Sequence, residues 1–424
     1  MKYAITTLGC KVNQFESQAI ETLLRSRGHQ AAGEGDADVV IVNTCAVTAE
    51  SGRKSRQTIR RMLKEHPGAF AAVCGCWSQL SPEDAAELGA RVIYGSGDRA
   101  KFVDAVEAAA SETAVDDPFR RREIEALPAG ALEGRTRAYL RIEDGCDNFC
   151  SYCVIPYARG RVRSMALSDV AAEAARLAGE GFRELVVTGI EIASYGKDLP
   201  DRPNLADAVR SAADAAPGLR LRLGSLEPRV VTEAFCFALA DCGSVCPHFH
   251  LSLQSGCDRT LAAMKRKYDS ARFAESAALL RSAFPGCALT ADLIVGFPGE
   301  TEEDFAATLE LIRSIGFAAM HIFPYSPRPG TPAAAMAEQL PKAEKEARAR
   351  RAKAVARTMQ RSYLTSQVGR TLPVLFETRE ADGRWQGHSD NYCLVSAKGE
   401  SLHGIMKNVK ILSVEGQKLI GIIV

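Results

Sequence analysis

Short apolar runs that stop at a cysteine, each followed by a helical period, constrain this chain more than any other feature. Tyr3-Ala-Ile-Thr-Thr-Leu8 ends at Gly9-Cys10, Asp38-Val-Val-Ile-Val-Asn43 leads to Thr44-Cys45, and Phe70-Ala-Ala-Val-Cys74 ends at Gly75-Cys76. The middle run is continuously apolar, which suits a parallel strand buried on both faces. From about Gln14, residues Glu16, Ala19, Ile20, Leu23 and Leu24 repeat at a mixed helical period. A basic helix is expected near Arg53–Lys64, and Pro82-Glu83-Asp84 has the composition of a helix start. Alternation of this kind predicts an α/β domain with a parallel sheet. Cys10, Cys45 and Cys76 then fall at the carboxyl ends of strands, where such sheets gather ligands. On position alone they are equally open to being unrelated buried thiols. Cys74 points to the other side of its strand from Val73 and is read as packing.

A second α/β region begins at Ala138-Tyr-Leu-Arg-Ile142. Further strands are expected at Leu185–Thr188, Leu221–Gly224, Phe249–Ser252, Leu289–Val295 and Met320–Phe323, with helices between them such as Asp169–Glu180 and Glu302–Ile315. Six βα units predict an open or partial (β/α)6 barrel, with its site at the carboxyl ends of the strands. Ser111–Gly134 reads as a linker, and Pro341–Arg361 as a helix rich in Ala, Arg and Lys. Beyond Leu372 the pattern changes to short strands at Pro373–Phe376, Tyr392–Val395, Gly404–Val414 and Leu419–Val424. A small β-barrel accommodates these most simply. A chain of 424 residues is long enough for two or three domains.

The barrel's first strand runs straight into Asp144-Gly-Cys146-Asp-Asn-Phe-Cys150-Ser-Tyr-Cys153, a C-x3-C-x2-C spacing with no fourth cysteine after it. Structural zinc sites close with four ligands, and ferredoxin runs complete four-cysteine ligation of a cluster. Three thiolates around a four-iron cubane leave one iron open to a substrate or cofactor. Asp147, Asn148 and Ser151 between the thiols argue against a simply packed segment. The chain has 13 cysteines, no apolar run near the ~20 residues needed to cross a bilayer, and an N-terminus unlike a signal peptide. A cytoplasmic location without membrane contact follows, where thiols stay reduced and cluster ligation accounts for them better than disulfides. The net charge of +1 neither suggests nor excludes nucleic acid.

These segments together resemble the tRNA methylthiotransferases, a group of radical S-adenosylmethionine (radical SAM) enzymes, over essentially the whole chain. The resemblance is carried by Thr7-Leu-Gly-Cys10-Lys-Val-Asn13-Gln-Phe-Glu16-Ser17, Val42-Asn43-Thr44-Cys45 and Val73-Cys-Gly75-Cys76-Trp-Ser-Gln79, then by the three-cysteine loop and Ile155-Pro156-Tyr-Ala-Arg159-Gly160. His248-Phe-His-Leu-Ser-Leu-Gln254, Gly296-Phe-Pro-Gly299-Glu300 and His321-Ile-Phe-Pro continue it. The wording at Ala138-Tyr-Leu, Phe249-His-Leu-Ser and His321-Ile-Phe-Pro is closest to the branch that acts on threonylcarbamoyladenosine. The branches acting on isopentenyladenosine or on a ribosomal protein are the alternatives. Ser78 stands where the family usually has Ala, Lys265 where a sister branch often has Asn, and Glu191 where His is common.

The resemblance implies three domains: a methylthiotransferase N-terminal domain over 1–115, a radical SAM domain over 132–361 and a TRAM RNA-binding domain over 362–424. It implies two [4Fe-4S] clusters, one held by Cys146, Cys150 and Cys153 and one by Cys10, Cys45 and Cys76. S-adenosyl-L-methionine would lie against Tyr152, Gly189, Ser225, Glu227 and Gln254. The implied reaction is methylthiolation of N6-threonylcarbamoyladenosine at position 37, next to the tRNA anticodon. It would draw on an electron donor and a sulfur source. RNA phosphates would meet Arg384, Lys398, Lys407 and Lys410 on the small barrel. For the basic helix carrying Arg348, Arg350, Arg351, Lys353, Arg357 and Arg361, a solvated face and an RNA-facing role are both open.

Overall fold

The strand Val39–Thr44 is buried along its whole length because two apolar clusters sandwich it. Val40 and Val42 pack into one cluster and Val39 and Ile41 into the other, as the two-residue side-chain alternation of a strand requires. The computed structural model describes residues 1–128 and 136–424. In it, this strand is β3 of a six-stranded sheet. Its companions are β1 (Lys2–Thr7), β2 (Gln30–Ala31), β4 (Phe70–Gly75), β5 (Ala90–Tyr94) and β6 (Glu112–Ala114). All are parallel, in the order β2-β1-β3-β4-β5-β6. β1, β3 and β4 are therefore neighbours, and Cys10, Cys45 and Cys76 follow their three adjacent ends. Cys74 faces the second cluster, as expected.

Part of the segment read as a linker is ordered. Residues 112–114 form the edge strand β6, and Pro118–Arg120 form a 3₁₀ turn. The last part of that segment, 129–134, lies outside the described residues.

The second region begins with β7 (Arg137–Arg141), followed by the short antiparallel pair β8 (Glu143–Asp144) and β9 (Arg163–Ser164). β10 (Glu184–Thr188) and β11 (Arg220–Leu223) join β7 in a parallel sheet. β12 (Ser225–Leu226), β13 (His248–Gln254), β14 (Ala288–Val295) and β15 (Ala319–Pro324) form a second parallel sheet. A single bridge between Leu221 and Val245 adjoins the break. The result is a partial barrel whose strands follow in sequence order. Leu140, Leu185, Leu221, Phe249 and Leu293 point outward into one large core beneath the helices. The alternate residues, including Arg137, Arg141, Glu184, Arg222 and His250, face the other way, so the lumen is polar.

One outer helix shows both of its boundary signals. Thr301 and Asp304 form a reciprocal cap on Glu302–Ile315, and Gly316 ends that helix in the left-handed region. The basic helix spans Lys342–Ser366 and packs on β15 with Ala349, Ala352 and Ala356 buried. Arg348 points inward, donating to the Glu300 carboxylate at 2.6 Å, and is therefore withdrawn from any RNA contact. Arg350, Lys353, Arg357 and Arg361 stay exposed.

The C-terminal region is a closed barrel of β16 (Thr371–Arg379), β17 (Trp385–Ser389), β18 (Leu394–Ala397), β19 (Met406–Glu415) and β20 (Lys418–Ile423). β17 was absent from the sequence expectation because Trp-Gln-Gly-His-Ser carries no apolar alternation. Tyr392, expected in a strand, instead occupies a turn with φ of 64°. Its ring stacks on His248 at 4.8 Å and on His388 at 4.6 Å, with the Arg222 guanidinium 4.7 Å from its centre. Arg220 and Arg222 also donate to the carbonyl oxygens of Pro373 and Asp390 at 3.1 and 2.8 Å. The small barrel is thus bolted to the lumen of the larger one.

Glu184 anchors this junction. It accepts from Arg220 at 2.5 Å and from Arg222 at 2.7 Å. Although burial raises its pKa, the two guanidinium groups outweigh that and hold it down at about 2, against 4.5 unperturbed. A depressed carboxylate contributes stability above its unfolded pKa that is lost as pH falls through the folded value. The junction should therefore weaken between pH 4.5 and about pH 2. Acid titration of urea stability should show this slope in the wild type and a shallower one in Glu184→Gln.

Candidate active site

Between the carboxyl end of the partial barrel and the N-terminal sheet lies a cavity of about 630 Å³. Cys10, Lys11, Cys146, Cys150, Tyr152, Cys153, Gly189, Glu191, Ser225, His250, Arg266, Asp292 and His321 are among its walls. The loop thiols and the N-terminal Cys10 thus face one space, although 136 positions separate Cys10 from Cys146.

The first thiol set sits on tight backbone. Gly145 has φ of 90°, and a Cβ there would lie 1.9 Å from the Arg161 carbonyl oxygen. Phe149 adopts φ of 46° and stacks on Phe119 at 6.2 Å. Arg266 donates to Cys150 Sγ at 3.2 Å, and its Nη2 stays buried without a partner. Asn148 donates to Glu191 at 3.1 Å. Burial pushes the Glu191 carboxyl up to about 7 and the Cys153 thiol up to about 12.

The second set comes from three strand ends. Gly75 makes this possible: its φ is 107°, and a Cβ would lie 2.5 Å from Asn43 Oδ1 and from the Thr44 carbonyl oxygen. At Gly9 a Cβ would meet Cys45 Sγ at 2.9 Å. Burial raises the pKa of all three thiols, and each would be raised further by charge on another of the set. Cys10 has accessible surface and lines the cavity. Ser78 is buried and donates to the Tyr94 carbonyl oxygen at 2.7 Å, away from the thiols.

Arg159 ties Cys76 of the second set to Asp144, which precedes the three-cysteine loop. This fully buried side chain donates from Nε to Cys76 Sγ at 3.1 Å and from Nη2 to Asn13 Oδ1 at 2.8 Å. Both of its Nη atoms bond the Glu16 carboxylate, and Asp144 lies 3.6 Å away. Arg99 approaches Glu16 at 3.4 Å, and Arg163 pairs with Asp144 at 2.9 Å.

Among the described residues, no three His, Cys, Asp or Glu side chains converge closely enough to hold a single metal ion. An iron–sulfur cluster sets a different requirement, because its ligands surround a cage. Two observations fit one. A neutral thiol is a weak acceptor, so guanidinium groups aimed at Cys76 and Cys150 suit thiolates. The unpartnered Arg266 Nη2 is a buried donor still lacking an acceptor.

Of the residues expected to contact S-adenosylmethionine, Tyr152, Gly189 and Ser225 line the cavity, whereas Glu227 and Gln254 do not. Glu227 is buried and pairs with Arg229 at 2.9 Å, close enough behind the wall that its charge raises the Glu191 pKa. Gln254 closes β13 with φ of 64°. Lys11, Arg266, His250, Asp292 and His321 were missed as cavity residues. His250 Nε2 lies 3.3 Å from Asp292, and its ring centre lies 6.0 Å from that of His321. His250, Asp292 and His321 occupy adjacent lumen positions within β13, β14 and β15, and the strand alternation is the one signal that marks them. On the small barrel, Arg384 is occupied by Asp382 at 2.7 Å and Glu415 at 3.3 Å, and Lys410 bonds the Gly369 carbonyl oxygen. Lys398, Lys407 and Lys410 are exposed.

A family model for the radical SAM superfamily matches residues 140–312, and one for the uncharacterized protein family UPF0004 matches residues 2–95. The threonylcarbamoyladenosine tRNA methylthiotransferase MtaB of Bacillus subtilis is 37% identical over 421 residues, covering 96% of this chain and 93% of its own. The protein of the same name from Thermotoga maritima is 36% identical over 97% of this chain and 95% of its own. A tRNA-2-methylthio-N(6)-dimethylallyladenosine synthase of Dehalococcoides mccartyi is 36% identical over 96% and 95%. Among solved structures, the radical SAM methyltransferase TsrM of Kitasatospora setae superimposes with a TM-score of 0.57 at 18% identity, covering 78% of this chain and 77% of that one. That likeness concerns the fold. No helix among the described residues is long and apolar enough to cross a membrane.

Proposed function

The chain belongs to the tRNA methylthiotransferase family of radical SAM enzymes, and from that premise we propose that it methylthiolates C2 of N6-threonylcarbamoyladenosine at position 37 of tRNA. The observation that carries this reading is the meeting of the three loop thiols with Cys10 of the strand-end set at one cavity. Cys146, Cys150 and Cys153 would hold one [4Fe-4S] cluster, and Cys10, Cys45 and Cys76 the other. When bound, these clusters and S-adenosylmethionine supply the radical that opens an unreactive ring C–H bond, together with the sulfur and the methyl group. The protein's own task is to position them.

Tyr152, Gly189 and Ser225 line the space for S-adenosylmethionine, and Glu227 and Gln254 support that wall from behind. Arg266 and Arg159 neutralise thiolates on either side. A base enters such a cavity only when unstacked, as in a single-stranded loop. Lys398 and Lys407 on the small barrel, acting as a TRAM-type module, and the exposed face at Arg350, Lys353, Arg357 and Arg361 would grip the RNA backbone. The enzyme would work in the cytoplasm with an external electron donor and sulfur source. The division into 1–115, 132–361 and 362–424 assigns sulfur delivery, radical generation and RNA binding in that order.

The D. mccartyi relative favours dimethylallyladenosine as the second reading. Mass spectrometry of tRNA nucleosides from cells lacking this protein decides between the two readings. Loss of 2-methylthio-N6-threonylcarbamoyladenosine is expected. Its persistence, with loss of the dimethylallyl analogue, would transfer the chain to the other substrate.

A further inference from the structure

A second cavity, of about 200 Å³, lies beside the first, and Lys11 is in the wall of both. The cations of this smaller cavity are Lys11, Arg137 and Arg222, against the single carboxylate of Glu377. The two arginines are already committed. Arg137 pairs with Glu377 at 2.8 Å, and Arg222 with Glu184 at 2.7 Å. Among the described residues the Lys11 ammonium has no hydrogen-bond or ion-pair partner. Lys11 is exposed, with both cavities open to it, and a cation there without a counter-ion is available to an anion.

Resting on the proposed function, we infer that Lys11 and this side cavity form the subsite that reads the carboxylate of the substrate's threonylcarbamoyl group. On an adenine, C2 and the N6 substituent lie on the same edge, separated by N1. A ring that turns C2 toward the thiols of the larger cavity therefore carries its N6 substituent along the neighbouring wall, where Lys11 stands. Thr136 and Thr378 line the side cavity and suit the polar remainder of that substituent. A dimethylallyl group offers neither charge nor hydrogen bond, and placing it there would bury Lys11 unpaired. Discrimination by an unpaired polar group is the strong kind.

The test measures binding of anticodon stem-loop RNA to the anaerobically reconstituted full chain, without reductant. The loop carries either threonylcarbamoyladenosine or unmodified adenosine at the target position. Lys11→Met should weaken the threonylcarbamoyl RNA about tenfold, the size of one charged hydrogen bond, and leave the adenosine RNA and the iron content unchanged. Lys11→Arg should keep most of the preference. Equal weakening of both RNAs would make Lys11 a general phosphate contact, and loss of iron would make it a counter-ion of the adjacent Cys10 set; either result overturns the subsite. A wild-type protein indifferent to the threonylcarbamoyl group would instead overturn the substrate reading itself. Wild-type preference that survives in Lys11→Met would overturn only the role of Lys11.

Discussion

Replacing Cys146, Cys150 and Cys153 together by alanine is expected to abolish reductive cleavage of S-adenosylmethionine while leaving a folded protein that still binds iron. The three thiols share one loop between β8 and Ile155–Arg159, and none belongs to the large apolar core. The second set hangs from three strand ends of a separate sheet, so its ligands do not depend on the loop. Iron per chain after anaerobic reconstitution should fall by about half, as expected when one of two four-iron clusters is lost. Formation of 5′-deoxyadenosine should fall to the level seen without protein. Cleavage that persists in the triple variant would end the assignment of this loop, whatever its iron content.

The second large effect is expected at Arg159. Arg159→Met removes the one side chain that touches Glu16, Asn13, Cys76 and Asp144 at once. Breaking a buried pair from one side strands the other charge, which costs about 3–5 kcal/mol. Glu16 keeps Arg99 at 3.4 Å and Asp144 keeps Arg163 at 2.9 Å, so the lower end, about 3 kcal/mol, is the expected loss. A fall in the urea midpoint at constant slope measures it. Adding Glu16→Gln should recover part of the loss, because it removes the stranded charge. A change below about 1 kcal/mol, typical of a surface substitution, would show that the network is not a structural joint.

Much of this architecture was legible in local patterns. The continuously apolar Val39–Val42 and the cysteines beyond each strand announced a parallel sheet with thiols at one edge, and the Glu302–Ile315 helix was read to the residue. What the pattern did not carry was direction. Arg348 and Arg350 are nearly adjacent in a basic run, yet one is buried on Glu300 and the other exposed. Helix rotation against β15 decides that, through contacts distant in sequence. Glu227 and Gln254 stand at strand ends as expected, but an ion pair with Arg229 and a left-handed backbone keep them off the cavity wall. Arg159 was visible within a motif, whereas its bond to Glu16 spans 143 positions. Lys11 follows a cysteine in a conspicuous motif, and only the meeting of two cavities at its side chain distinguishes it.

Tyr392, clasped between two imidazoles, fastens the C-terminal module at a second point besides the chain connection through Lys342–Ser366. A module on a single tether sweeps a volume in search of its target, whereas one pinned twice cannot. On the proposed function, RNA held by this barrel is presented at one fixed reach from the mouth of the cavity. Selection among RNAs would then be a matter of geometry, since a stem of the wrong length would hold its loop short of the thiols or past them.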